Sequence, residues 1–222
     1  MLEPCGRYSH TESTMKRIAI SIILVALCVP VVFALPDFGN VGLNGLTEAQ
    51  KQQLAAGKIV FATVGSIAKS DSELIYAAIV FNQPVEETWK LISRTEDQNK
   101  YLSSIDDLKI IRKGGPTDNI EFSVSAGPFT KTYRVIHRFS PEKKGFEWGL
   151  DPTFDNDLQK LTGFWRFYDF GDGRTLARYG SNVSIRGVPG WVESLFKKKG
   201  ITEALGQVKQ YVDSGGTWRC RR

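Results

Sequence analysis

The sequence predicts one α+β domain in which a strongly curved antiparallel sheet wraps around a long C-terminal helix, with two short helices after the first strand. Three observations carry this. An apolar strand at 73–81 ends in Asn82-Gln83-Pro84 and gives way to helical spacing; six strand-like runs follow one another between turn signals over residues 108–185; and the apolar period then changes from two to about 3.6 through residues 191–213. A sheet of that length must cover one face, and the long helix is the element able to do so. One helix does not fill such a sheet, so a cavity between the two is expected.

The elements are argued in chain order. Residues 1–14 are polar and precede a better start at Met15, so they read as an upstream extension. Met15-Lys16-Arg17, the apolar run 18–29 and Val32-Phe33-Ala34 have the layout of a secretory signal at 15–34, and Pro30 with the shortness of the apolar run argues against a membrane anchor. The protein is therefore expected to be exported, to a periplasm or outside the cell. Residues 35–71 read as a linker holding a short helix after Thr47, with Gly57 behind it, and a short strand within 58–65. Pro84 stands where a helix can begin, and Val85, Trp89 and Ile92 share one side of that helix; a second short helix covers about 97–102. Strands are predicted at 108–113, 120–126, 129–140, 145–150, 158–170 and 174–185, the last two joined by Gly171-Asp172-Gly173. The domain proper spans 72–214, and 215–222 is a basic tail.

Composition removes whole classes of function. Residues 1–34 carry three of the 29 Lys+Arg and two of the 24 Asp+Glu, leaving 26 against 22, a mildly basic chain whose charges mostly alternate in sign. That is an ordinary solvated surface and gives no reason to expect nucleic acid. Cys5 and Cys28 leave with the signal, so Cys220 has no partner for an internal disulfide. His137 is the one histidine beyond residue 34, which excludes multi-histidine metal sites and requires any Ser-His-Asp triad to be built on it. Asp155 and Asp157 alternate as calcium ligands do, but the surrounding loop lacks the spacing of a calcium site. No metal or cofactor is called for. Lys197-Lys198-Lys199 beside Trp191 could touch an anionic membrane transiently, with a solvated helix face as the plainer reading.

Residues Phe81-Asn82-Gln83-Pro84-Val85-Glu86-Glu87-Thr88-Trp89, the hairpin of Gly163-Phe164-Trp165-Arg166-Phe167 with Gly171-Asp172-Gly173-Arg174-Thr175, and Val188-Pro189-Gly190-Trp191-Val192 resemble the SRPBCC or START-like superfamily, over about residues 72–214. That superfamily takes in polyketide cyclases, coenzyme Q-binding proteins, lipid-transfer domains and Bet v 1-like proteins. The resemblance implies a helix-grip fold. Its motifs are diffuse and specify a function poorly.

Alternation assigns the cavity wall. Phe122 and Val124 share the inward face of one strand, Tyr133, Val135 and His137 that of the next, and Phe146 and Trp148 that of the third. On the last strand Ala177, Tyr179 and Ser181 belong to a face of small and amphipathic residues; Trp165 on the preceding strand, and Leu205 and Val208 on the helix, complete the candidate pocket. Strand 158–170 is ambiguous, because Trp165 and Phe167 alternate with Phe164 and Tyr168. A small, hydroxyl-bearing face opposite aromatics suits a lipid-like ligand; the alternative is that the same residues form a dry core. His137 is open to three readings: core packing, a polar contact with ligand, or acid/base catalysis in a cyclase or aromatase, with Tyr133 and Tyr179 as its hydrogen-bond candidates and no nearby motif supplying a carboxylate. A binder of hydrophobic small molecules is favoured because this reading counts few polar groups converging in the pocket. A scaffold acting through a protein partner is the third possibility.

Overall fold

The computed structural model describes residues 36–62, 74–126, 129–187 and 199–221. The signal segment, Trp191, Lys197, Lys198 and the first part of the helix predicted at 191–213 lie outside the described residues. The elements run α1 (Glu48–Ala55), β1 (Val60–Ala62), β2 (Ile75–Phe81), α2 (Val85–Ile92), a 3₁₀ turn (Thr95–Asp97) continuing into α3 (Gln98–Tyr101), β3 (Ile105–Gly114), β4 (Thr117–Ala126), β5 (Phe129–Ser140), β6 (Gly145–Leu150), β7 (Leu158–Gly171), β8 (Arg174–Ile185) and α4 (Ile201–Asp213). The strands form one antiparallel sheet of eight, in the order β1-β2-β8-β7-β6-β5-β4-β3. This is the predicted α+β architecture, with β1 added as an edge strand on β2.

The inner face of the sheet grips α4. Leu205, Val208, Tyr211 and Val212 of α4 meet Ala77, Ile79 and Phe81 of β2, Phe146 of β6, and Trp165 and Phe167 of β7 in the main core. α2 closes one end of it with Leu91 and Ile92. The helix is pinned by charge as well as by packing: the Asn82 backbone N–H donates to Asp213 Oδ1 (2.8 Å), and Lys209 Nζ, paired with Asp213, donates to the Val80 carbonyl. At the β7–β8 turn, Gly171, Asp172 and Gly173 all have φ between +54° and +89°, a left-handed stretch that glycine enters without a Cβ penalty.

The outer face is not solvated where the sequence suggests a tether. Residues 36–62 are part of the compact unit that begins at Pro36, and they lie across the backs of β2, β8 and β7. Thr47 caps α1 through a reciprocal box in which its hydroxyl accepts from the Gln50 N–H and Gln50 Oε1 accepts from the Thr47 N–H. Leu46, Leu54 and Val60 then pack on Ala78, Val80 and Leu176 as a second core. Under this layer Arg178 is only 1% exposed; its Nη1 donates to the carbonyls of Gly42 and Asn44, and its guanidinium lies 4.1 Å from the Phe38 ring centroid. With no carboxylate partner among the described residues, burial pulls its pKa down to about 10.

This layer explains the ambiguity of β7. Trp165 and Phe167 face the helix, while Phe164 packs on Phe38 with ring centroids 5.8 Å apart and Tyr168 lies against Gly42, so both faces of the strand are apolar because both are covered. The basic tail also packs. Trp218 rests on the main core, Arg219 lies over the Tyr211 ring, and the Cys220 N–H donates to the Lys100 carbonyl at 3.2 Å.

Candidate functional site

A cavity of about 200 Å³ lies between the sheet and α4. Of the residues that alternation assigns to the pocket, Phe122, Val124, Tyr133, Val135, His137, Phe146, Trp148, Trp165, Tyr179, Ser181, Leu205 and Val208 line it. Ala177 does not. It faces inward as predicted but sits at full burial in the main core, opposite Ile79 of β2 and Phe167 of β7. The rest of the wall comes from Ile92 of α2, from a stretch with no readable period (Gln98 and Tyr101 of α3, then Leu102, Ser104 and Ile105), and from Leu161 and Ala204.

Trp148 organises the wall. Its ring lies 6.4 Å from His137, 5.8 Å from Phe146 and 5.8 Å from Tyr179, centroid to centroid. The ring fits because the residue opposite it across β6 and β7 is Gly163, where a Cβ would come within 2.1 Å of the indole.

His137 has a carboxylate partner, contrary to the sequence expectation. Asp118 on β4 is directly opposite His137 on β5, and its Oδ1 lies 2.7 Å from Nδ1. Both are almost fully buried, at 2% and 4% exposure. The Thr95 hydroxyl, buried in the 3₁₀ turn, donates to the other oxygen of the same carboxylate. His137 lines the cavity while Asp118 does not, and in the neutral imidazole a carboxylate accepting at Nδ1 places the ring proton on that nitrogen. Neither Tyr133 nor Tyr179 bonds to the ring; Tyr179 instead engages Ser181.

Polar groups are more numerous than the alternation suggests. Gln98, Ser104, Tyr133, His137, Tyr179 and Ser181 all reach the wall. Burial pushes the Tyr179 phenol up to about 12, and the Tyr133 phenol rises further through burial and the neighbouring Tyr179, so both remain hydrogen-bond donors at neutral pH. Among the described residues no Lys or Arg lines the cavity.

The acidic loop does structural work. Asp157 accepts from the Thr132 N–H at 2.8 Å, Asp155 pairs with Arg186, and Asn156 accepts from the Arg134 N–H, which stitches the loop to β5. Among the described residues no cluster of His, Cys, Asp and Glu could hold a metal ion.

Compared by sequence, no family model and no curated protein matches the chain. Compared by structure, the chain is similar to a Thermus thermophilus protein (TM-score 0.57, 16% identity, covering 65% of this chain and 99% of that one). It is also similar to a START superfamily protein from Mycobacterium smegmatis (0.54, 13%, 64% and 97%). A third neighbour is the Zhui aromatase/cyclase of a Streptomyces species (0.52, 12%, 64% and 97%). At these identities the likeness establishes the fold alone: the chain has the START-like, helix-grip architecture that its motifs suggest.

Proposed function

We propose that the chain is an exported protein that binds a small hydrophobic molecule between sheet and helix, to shuttle or sequester it. The observation that carries this is the cavity itself, walled by Phe122, Phe146, Trp148, Leu205 and Val208 with a few polar groups among them, the composition that small-molecule sites share. An engineered apolar cavity of about 150 Å³ accepts benzene, so about 200 Å³ suits a one- or two-ring compound. Burying ten carbons there yields roughly 8 kcal/mol before ordering costs, so useful affinity needs no strong polar contact.

The buried Asp118–His137 pair favours a second reading, an enzyme of the cyclase or aromatase kind with the imidazole as general base. Calorimetric titration with naphthalene tests the first reading: saturable binding, abolished in Ser181→Phe, is expected, and heats of dilution alone would refute it. Chemical change of a bound ligand that stops in His137→Gln while binding persists would establish the second. Export predicts that the secreted protein begins at Leu35.

A further inference from the structure

We infer that the ligand is a neutral, hydroxyl-bearing ring compound rather than a carboxylate or a plain hydrocarbon, its hydroxyl donating to Nε2 of His137. This rests on the binding reading above. The argument begins with the hydrogen-bond chain Thr95–Asp118–His137, in which Thr95 and Asp118 are positioning residues: neither lines the cavity, and both act through the imidazole. In the neutral imidazole, on which the inference rests, a carboxylate accepting at Nδ1 leaves Nε2 as a lone-pair acceptor. Among the described residues the ring has no other hydrogen bond, its remaining neighbours being the rings of Phe139, Phe146 and Trp148. A polar acceptor facing an apolar wall is poorly satisfied by a hydrocarbon and well satisfied by an O–H.

The same geometry disfavours anions. A ligand carboxylate at Nε2 would meet a lone pair, with the Asp118 carboxylate behind the same ring, and among the described residues the wall supplies no Lys or Arg to offset the charge. Tyr133 and Tyr179 stand on the strands either side of the Trp148 ring, still protonated at neutral pH, and add neutral donors for a carbonyl or ether oxygen elsewhere on the ligand.

Four probes of nearly equal shape test this by calorimetry at neutral pH: naphthalene, 2-naphthol, 2-methoxynaphthalene and 2-naphthoate. The expected order places 2-naphthol about tenfold tighter than naphthalene and 2-methoxynaphthalene, the value of one added neutral hydrogen bond, with 2-naphthoate weakest. In His137→Phe the naphthol advantage should vanish while naphthalene still binds. Should that variant fail to fold, ¹⁵N-histidine NMR of the wild type decides, since only His10 and His137 give signals. The His137 Nε2 resonance should be that of an unprotonated nitrogen and should shift with 2-naphthol but not with naphthalene. Equal affinity for 2-naphthol and naphthalene, or tightest binding of 2-naphthoate, overturns the inference and leaves the cavity reading standing. Binding of none of the four overturns both.

Discussion

Gly163 and Trp148 are cross-strand partners on β7 and β6, and the indole lies so closely over the glycine that a Cβ there would come within 2.1 Å of it and within 2.6 Å of the Gly180 carbonyl. The second contact is backbone and has little freedom to yield. Gly163→Ala is therefore expected to destabilise the fold by about 1–3 kcal/mol in urea titration. It should also change the tryptophan emission and weaken naphthalene binding, because the displaced ring is part of the cavity wall.

The Thr95–Asp118–His137 chain predicts a cost out of proportion to its size. Asp118→Ala leaves an imidazole and a threonine hydroxyl buried without their acceptor, and a loss of about 2–4 kcal/mol is expected from chemical denaturation. Thr95→Val keeps the shape and removes one donor, so about 1 kcal/mol is expected. A surface-like response to Asp118→Ala, below about 0.5 kcal/mol, would mean that the network does not hold in solution.

The segment 36–62 can be tested in the same way. Leu54 is fully buried against Ala78, Val80 and Leu176, so Leu54→Ala should cost about 2–5 kcal/mol. The same change in a solvated tether would be nearly silent.

The strand boundaries of β5, β6 and β8 were legible from the sequence for a physical reason: each is bounded by turn residues, and β5 alternates in character, Tyr133, Val135 and His137 against Thr132, Arg134 and Arg138. Alternation gives the face but not the depth along it, which is why Ala177 is inward yet remote from the cavity while Tyr179 and Ser181 line it. Asp118 escapes because β4 reads as starting at Ile120. The dry positions Ile120, Phe122 and Val124 extend backward by two to Asp118, and an acid on a dry face was the available signal. The outer layer over Arg178 has no such signal, since its hydrogen bonds to Gly42 and Asn44 join residues more than 130 apart in sequence. Wall residues from α3, a four-residue helix, are hidden because one turn has no measurable period.

Tyr179 gives a prediction in pH. Its folded pKa, pushed up to about 12 mainly by burial, lies above the ordinary value of 10, so its contribution to stability is fully present below about pH 10 and is lost as pH rises toward 12. Absorbance titration of the folded protein should show Tyr179 and Tyr133 ionising only as the fold gives way, above the ordinary phenol value of about 10. Tyr179→Phe should reduce the loss of stability over that alkaline window.

The central claim is that the space between sheet and α4 is a ligand site, and the most direct measurement is a crystal of the protein soaked with 6-bromo-2-naphthol and examined at the bromine absorption edge. The account predicts one anomalous peak inside the wall formed by Phe146, Trp148, Leu205 and Val208, with the naphthol oxygen within hydrogen-bonding reach of His137 Nε2. A cavity free of bromine at a concentration that saturates binding in solution would contradict it.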